Sequence, residues 1–92
     1  LVPFRTLELA WEAMQLADKV ADVGNANAIS DAGVAALTAL SAAKAADYNI
    51  LINRPGSTDE AFKADIKTRA GELVSKCQTL ADAIETKIRN RF

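Results

Sequence analysis

The chain has no histidine and one cysteine, Cys77, in 92 residues. Without histidine, Ser–His and Cys–His nucleophilic pairs and histidine-based metal sites are excluded. A lone thiol closes no internal disulfide and builds no zinc knuckle, which fits a reducing, cytoplasmic setting. The net charge of −1 is spread along the chain, so there is no basic footprint for nucleic acid and no polybasic patch for anionic lipid. No apolar run reaches the length of about 18 residues that a membrane span needs. Arg5 alone does not make a signal peptide. The length allows one small domain at most. With no initiator Met, the chain is expected to be part of something larger.

What is present is alanine, set in a helical pattern. Between Val34 and Ala46 the only charge is Lys44, and seven of the thirteen residues are alanines. A helix that is apolar all round is expected to be buried all round. Ser30 or Asp31 is read as its cap, with Asn25-Ala26-Asn27-Ala28-Ile29 as the preceding loop. The helix is expected over residues 31–53, ending before Arg54-Pro55-Gly56, a strong breaker.

A first helix is expected over residues 3–23, with Pro3 in its first turn and Gly24 just past its end. Arg5, Glu8, Glu12, Gln15, Lys19 and Asp22 form a solvated stripe. Phe4, Leu7, Trp11, Met14 and Ala21 make one apolar row, with Trp11 and Met14 read as core. Leu9, Ala13, Leu16, Val20 and Val23 make a second row, so this helix should touch two neighbours.

A third helix is expected over residues 59–90. Ser57-Thr58-Asp59-Glu60 fits a capping box, with Glu60 three residues after Ser57. Phe62, Ile66, Ala70, Leu73, Cys77, Leu80, Ile84 and Ile88 then recur at spacings of three and four, close to a heptad seam. Cys77 reads there as a small buried apolar residue. Gly71 is either a mild helix defect or a point of close packing. The fold class is therefore all-α: three long helices, part of a multi-helix bundle. Three helices can hardly surround the second one, so a homodimer, a larger assembly or a missing N-terminal half is expected to complete it.

Two segments carry a resemblance. Gly24-Asn25-Ala26-Asn27-Ala28-Ile29-Ser30-Asp31-Ala32-Gly33-Val34-Ala35-Ala36 resembles the pattern "GN-x-N-x-x-SD-x-x-VA". Tyr48-Asn49-Ile50-Leu51-Ile52-Asn53 resembles the ending "N-[VI]-x-IN" of an alanine-rich helix. Both are similar to the formiminotetrahydrofolate cyclodeaminases and methenyltetrahydrofolate cyclohydrolases. The likeness also takes in Val2-Pro3, the Leu7–Met14 helix, Asp59, Glu60 and Phe62. Family domains are longer, and residues 1–92 resemble their C-terminal half only. The Pro-Gly-Gly-Gly-Ser turn and the catalytic acid of the family lie in the other half, so the catalytic residues are expected upstream of Leu1.

The resemblance implies folate one-carbon chemistry. In cyclodeamination, N10 of the substrate attacks the formimino carbon and ammonia leaves; in the cyclohydrolase direction, water opens the methenyl ring. Both reactions move protons and change cationic character at an amidinium-like carbon, tasks suited to a carboxylate. Neither needs a metal or a cofactor beyond the tetrahydrofolate substrate. Asp31 is the best acid present: either a contact to the pterin amino-pyrimidine edge or an acid favoured by the helix dipole. Asn25, Asn27 and Ser30 are turn and cap residues or ligand contacts. Asn49 and Asn53, at i and i+4, are buried amides needing partners or ligand contacts. Tyr48 reads as core, and Lys44 is set to pair with Asp47.

Two readings outside the enzyme class compete with it. A non-catalytic helical assembly module would use the same long helices. A partner-binding or secreted effector fragment has little support. The residues present bear on the shared folate unit, so they do not separate cyclodeaminase from cyclohydrolase.

Overall fold

The computed structural model describes residues 2–23, 25–53 and 59–92. Three helices make up these residues: α1 Val2–Val23, α2 Ala26–Asn53 and α3 Glu60–Arg91. The all-α expectation holds. Cross-chain contacts fix the topology. Phe4 on α1 lies under the Arg69 guanidinium of α3, 4.8 Å from the ring centre, and Asp18 pairs with Lys87. Thus α1 and α3 run the same way. Gly33, near the start of α2, lies against Ile88, near the end of α3, so α2 runs antiparallel to both. The result is a rod of 50 × 17 × 15 Å.

α2 begins earlier than the sequence reading placed it. Asn25 is its cap: the Asn25 side-chain Oδ1 accepts the Ala28 N–H at 2.9 Å, and the Asn25 carbonyl accepts the Ile29 N–H at 2.9 Å. Residues 26–29 therefore form the first turn and are not a loop. Ser30 and Asp31 stand in the second turn and cap nothing. Between Asn25 and Ser30 there is no breaker, so once Asn25 satisfies the open N–H groups the helix starts there.

On α3 the cap is Asp59, whose carboxylate accepts the Phe62 N–H at 3.0 Å. Glu60 is thus the first helical residue, two positions short of the third, where the capping-box role needs it. The expectations for Gly24, Arg54-Pro55-Gly56 and Ser57 fall outside the described residues.

The core is thin and alanine-rich. α1 turns Phe4, Leu7, Ala10, Met14, Ala17 and Ala21 inward; α2 turns Ala32, Ala36, Ala39, Ala43, Ala46 and Ile50; α3 turns Ile66, Ala70, Cys77, Ala81 and Ile84. Trp11 packs against this cluster partly buried, and Met14 is fully enclosed, as the core reading had it. The α3 seam holds from Ile66 onward. Phe62 is exposed, because Phe4 sits beside Arg69 and the first turns of α3 overrun the end of α1. A side chain at Gly71 would meet nothing within 4 Å, so Gly71 is a helix defect and not a packing point. Gly33 is the close-packing glycine: a Cβ there would run into the tip of Ile88.

The faces that the sequence leaves without cover in this chain are open, and the core reading of Tyr48 is corrected. Only one face of α2 is buried in this chain; Val34, Leu37 and Ile52 are exposed, and so is Tyr48 at 62 %. The second row of α1 is likewise open, with Leu16 62 % and Val23 85 % exposed. These faces are apolar by sequence, but α1 and α3 occupy only one side of α2.

Candidate functional site

The residues singled out by sequence fall into two groups at opposite ends of α2. Asn25, Asn27, Ser30 and Asp31 lie at its start, all exposed. Asn25 spends its side-chain oxygen on the helix cap. Asn27, Ser30 and Asp31 share one side of the helix at i, i+3 and i+4. Asn49 and Asn53 lie at the other end. Asn49 is exposed, so it is not the buried amide expected; the side chain of Asn53 is outside the described residues. At 1.5 Å per residue, Asp31 and Asn49 are about 27 Å apart along the axis. Within one chain no single small ligand touches both groups.

Beside the first group runs an open groove of about 660 Å³ between the first half of α2 and the last half of α3. Ser30 stands at its edge; Val34, Leu37, Leu40, Ile84, Ile88 and Phe92 form its walls. Its polar rim is already engaged. Gln78 donates to Asp82 at 3.0 Å, and Arg89 lies 3.9 Å from Glu85. Small-ligand sites combine apolar walls with a few convergent polar groups; this groove has the walls without the convergence.

Sequence reading missed the polar feature with the shortest contacts. Lys87 of α3 reaches Asp18 at 2.6 Å and Asp22 at 2.7 Å. The hydrogen bonds that the Lys87 ammonium donates to the two carboxylates push it above its ordinary range. By sequence Asp22 belongs to a solvated stripe, whereas in the structure it holds Lys87. The available signal was an Asp pair at i and i+4 on the flank of an apolar row. Lys44 and Asp47 make no ion pair among the described residues, and Lys44 is exposed.

Cys77 is fully enclosed in the seam. Burial pushes its thiol up, so it stays protonated and offers no nucleophile. Among the described residues no cluster of three or more His, Cys, Asp or Glu is placed to hold a metal. No described helix is long and apolar enough to cross a membrane.

Comparison with known proteins agrees with the two α2 motifs. Residues 1–72 match the family described as formiminotransferase-cyclodeaminase. A methenyltetrahydrofolate cyclohydrolase of Methylorubrum extorquens is 32% identical over 90 residues, covering 98% of this chain and 43% of the relative. The formimidoyltransferase-cyclodeaminase of Sus scrofa is 33% identical over 86 residues, covering 94% of this chain and 15% of the relative. That of Rattus norvegicus is 33% identical over 76 residues, covering 83% and 14%. The chain thus spans less than half the length of the curated relatives it matches. No solved structure matches it significantly. With 72 of its 92 residues inside the family match, the chain belongs to the formiminotransferase-cyclodeaminase family.

Proposed function

We propose that this chain is the C-terminal half of a folate one-carbon enzyme. The enzyme either cyclodeaminates 5-formiminotetrahydrofolate to 5,10-methenyltetrahydrofolate and ammonia, or hydrolyses the methenyl compound. The observation that carries this reading is the 32% identity to a methenyltetrahydrofolate cyclohydrolase along 98% of the chain. In this reading Asn25, Asn27, Ser30, Asp31, Asn49 and Asn53 form the folate-binding part, and the catalytic acid comes from the N-terminal half. The chemistry is proton transfer around one carbon, so it calls for no cofactor beyond the tetrahydrofolate substrate. The open apolar faces of α1 and α2 support cover by that half, by a second copy or by both. The single unpaired, buried Cys77 fits a cytoplasmic location.

Asp31 is the residue to test. Its carboxylate is exposed on the second turn of α2 and free of a capping duty, which leaves it available to a donor pair such as an amino-pyrimidine edge. In the full-length protein, Asp31→Asn should keep the helical circular dichroism. Folate binding or turnover, followed at the methenyl chromophore, should fall at least about tenfold, equivalent to about 1.4 kcal/mol. The isolated chain should show negligible turnover. No turnover of either folate by the full-length protein would favour the non-catalytic assembly module instead.

A further inference from the structure

Two neighbouring residues near the end of α3 each fix a different helix. Lys87 turns to α1, where its ammonium donates to Asp18 at 2.6 Å and lies 2.7 Å from Asp22. Ile88 turns to α2, where its tip fills the space that a side chain at Gly33 would need. Successive residues stand about 100° apart around a helix, so one turn of α3 faces both neighbours at once. One contact is electrostatic and the other steric. The other ion pairs among the described residues join positions three or four apart on a single helix.

Both contacts land beside the proposed folate residues. Asp22 stands in the last turn of α1, three positions before Asn25, whose side chain caps α2. Gly33 is within one turn of Ser30 and Asp31 on α2. Ser30 also lines the same groove as Ile88.

We infer that Lys87 and Ile88 are positioning residues for the site at the start of α2. They latch α3 to the last turn of α1 and the second turn of α2, and so hold Asn25, Asn27, Ser30 and Asp31 in one arrangement. That this arrangement receives a folate rests on the function proposed above. The four side chains are exposed, so no enclosing core pins them and their places follow from where the helix end lies. The core at this end includes Ala17, Ala21, Ala32 and Ala36. Alanine makes shallow ridges, and ridges set into grooves are what fix one helix against another. A binding constellation has to be held within about 0.5 Å. The latch supplies what the alanines do not. Glycine weakens a helix interior, and Gly33 gives up that stability to seat Ile88.

Amide hydrogen exchange on the full-length protein tests the latch without any ligand. Lys87→Met should speed exchange in residues 28–33 and 84–88 about two- to fivefold and leave residues 43–50 and 66–77 unchanged. Lys87→Arg keeps the charge pairing and should match the unsubstituted protein. Gly33→Ala puts a methyl where the Cδ1 of Ile88 lies, and Ile88→Val takes that methyl away. Gly33→Ala should loosen the same residues, and Ile88→Val in the same chain should restore them. A uniform change along the chain, or none, overturns the latch.

The positioning role is read from KM, with turnover followed at the methenyl chromophore. Lys87→Met should raise KM about tenfold and leave kcat within about twofold, because the four residues hold the substrate and the catalytic acid lies elsewhere. Lys87→Arg should restore KM. Cys77→Ala is the control: it trims a fully enclosed residue of α3, about 15 Å along the helix from Lys87. It should lower the melting temperature at least as far and leave KM unchanged, since lost stability alone removes active enzyme without weakening its grip on substrate. An unchanged KM in Lys87→Met, or an equal rise in Cys77→Ala, overturns the positioning role. If the unsubstituted full-length protein turns over neither folate, the folate reading fails and the role falls with it, while the exchange result still decides the latch.

Discussion

The side of the bundle where α1 meets α3 and the side of α2 away from α3 are built from different materials. The first is closed by large or charged groups, namely Phe4 under Arg69 and Lys87 between Asp18 and Asp22. The second carries alanine, threonine and scattered exposed aliphatics, with no ion pair among its described residues. Specific side-chain locks belong to a contact completed within the chain. Small residues left in the open belong to a contact completed by another backbone. The family match is consistent with this difference, because the chain spans only 43% of its bacterial relative.

The sharpest way to break that comparison is to cut large residues on each side. Leu7 is fully enclosed. Leu7→Ala should cost about 2–5 kcal/mol by lost burial and the cavity left behind. Leu16, on the open row of α1, is 62 % exposed, and Leu16→Ala should change the monomer by no more than about 0.5 kcal/mol. Urea unfolding at low protein concentration measures both. If Leu16→Ala costs as much as Leu7→Ala, the open row is already covered in solution.

The start of α2 gives a smaller contrast. Asn25 caps the helix through the Ala28 N–H, whereas Ser30 and Asp31 lie inside it. Asn25→Ala should lower thermal stability by about 1 kcal/mol, and Ser30→Ala should leave it within about 0.5 kcal/mol. Equal losses would return the cap to Ser30 and the first turn to a loop.

That turn also shows where the sequence was legible. The bounds of α1 and α3 followed from periodicity together with end signals, and the α3 seam from Ile66 onward followed from apolar spacing, a local record of which face packs. The start of α2 did not, because two capping signals compete within six residues and only the structure shows which side chain meets an open N–H. Asn25, Asn27, Ser30, Asp31, Asn49 and Asn53 were picked out by resemblance. Their placement at two ends of one helix follows from its rise alone. The exposure of Tyr48 was not legible, since an apolar pattern records that a face is meant for cover and not which chain supplies it. The Lys87 clamp was invisible for a different reason: Asp18, Asp22 and Lys87 each look like ordinary solvated charges until α1 and α3 are laid side by side.

That clamp sets the smallest expected effect, and its sign is fixed. The folded state holds the Lys87 ammonium above its ordinary range through hydrogen bonds to Asp18 and Asp22. The unfolded chain releases that proton near the usual lysine value of about 10.4. The clamp's contribution is therefore fully present below about pH 10 and declines as pH rises through the folded-state value. The Lys87 side chain keeps 35% of its surface exposed, so the contribution belongs with surface pairs, about 0.2–1 kcal/mol. Urea unfolding at pH 8 and pH 11 should show a loss in the unsubstituted chain that is smaller in Lys87→Met by up to this amount. Lys87→Met keeps most of the aliphatic stem while removing the charge, so packing is little changed. An identical pH dependence in the two chains would mean that the clamp does not hold α3 to α1. The closed side of the bundle would then rest on apolar contact, as the open side does.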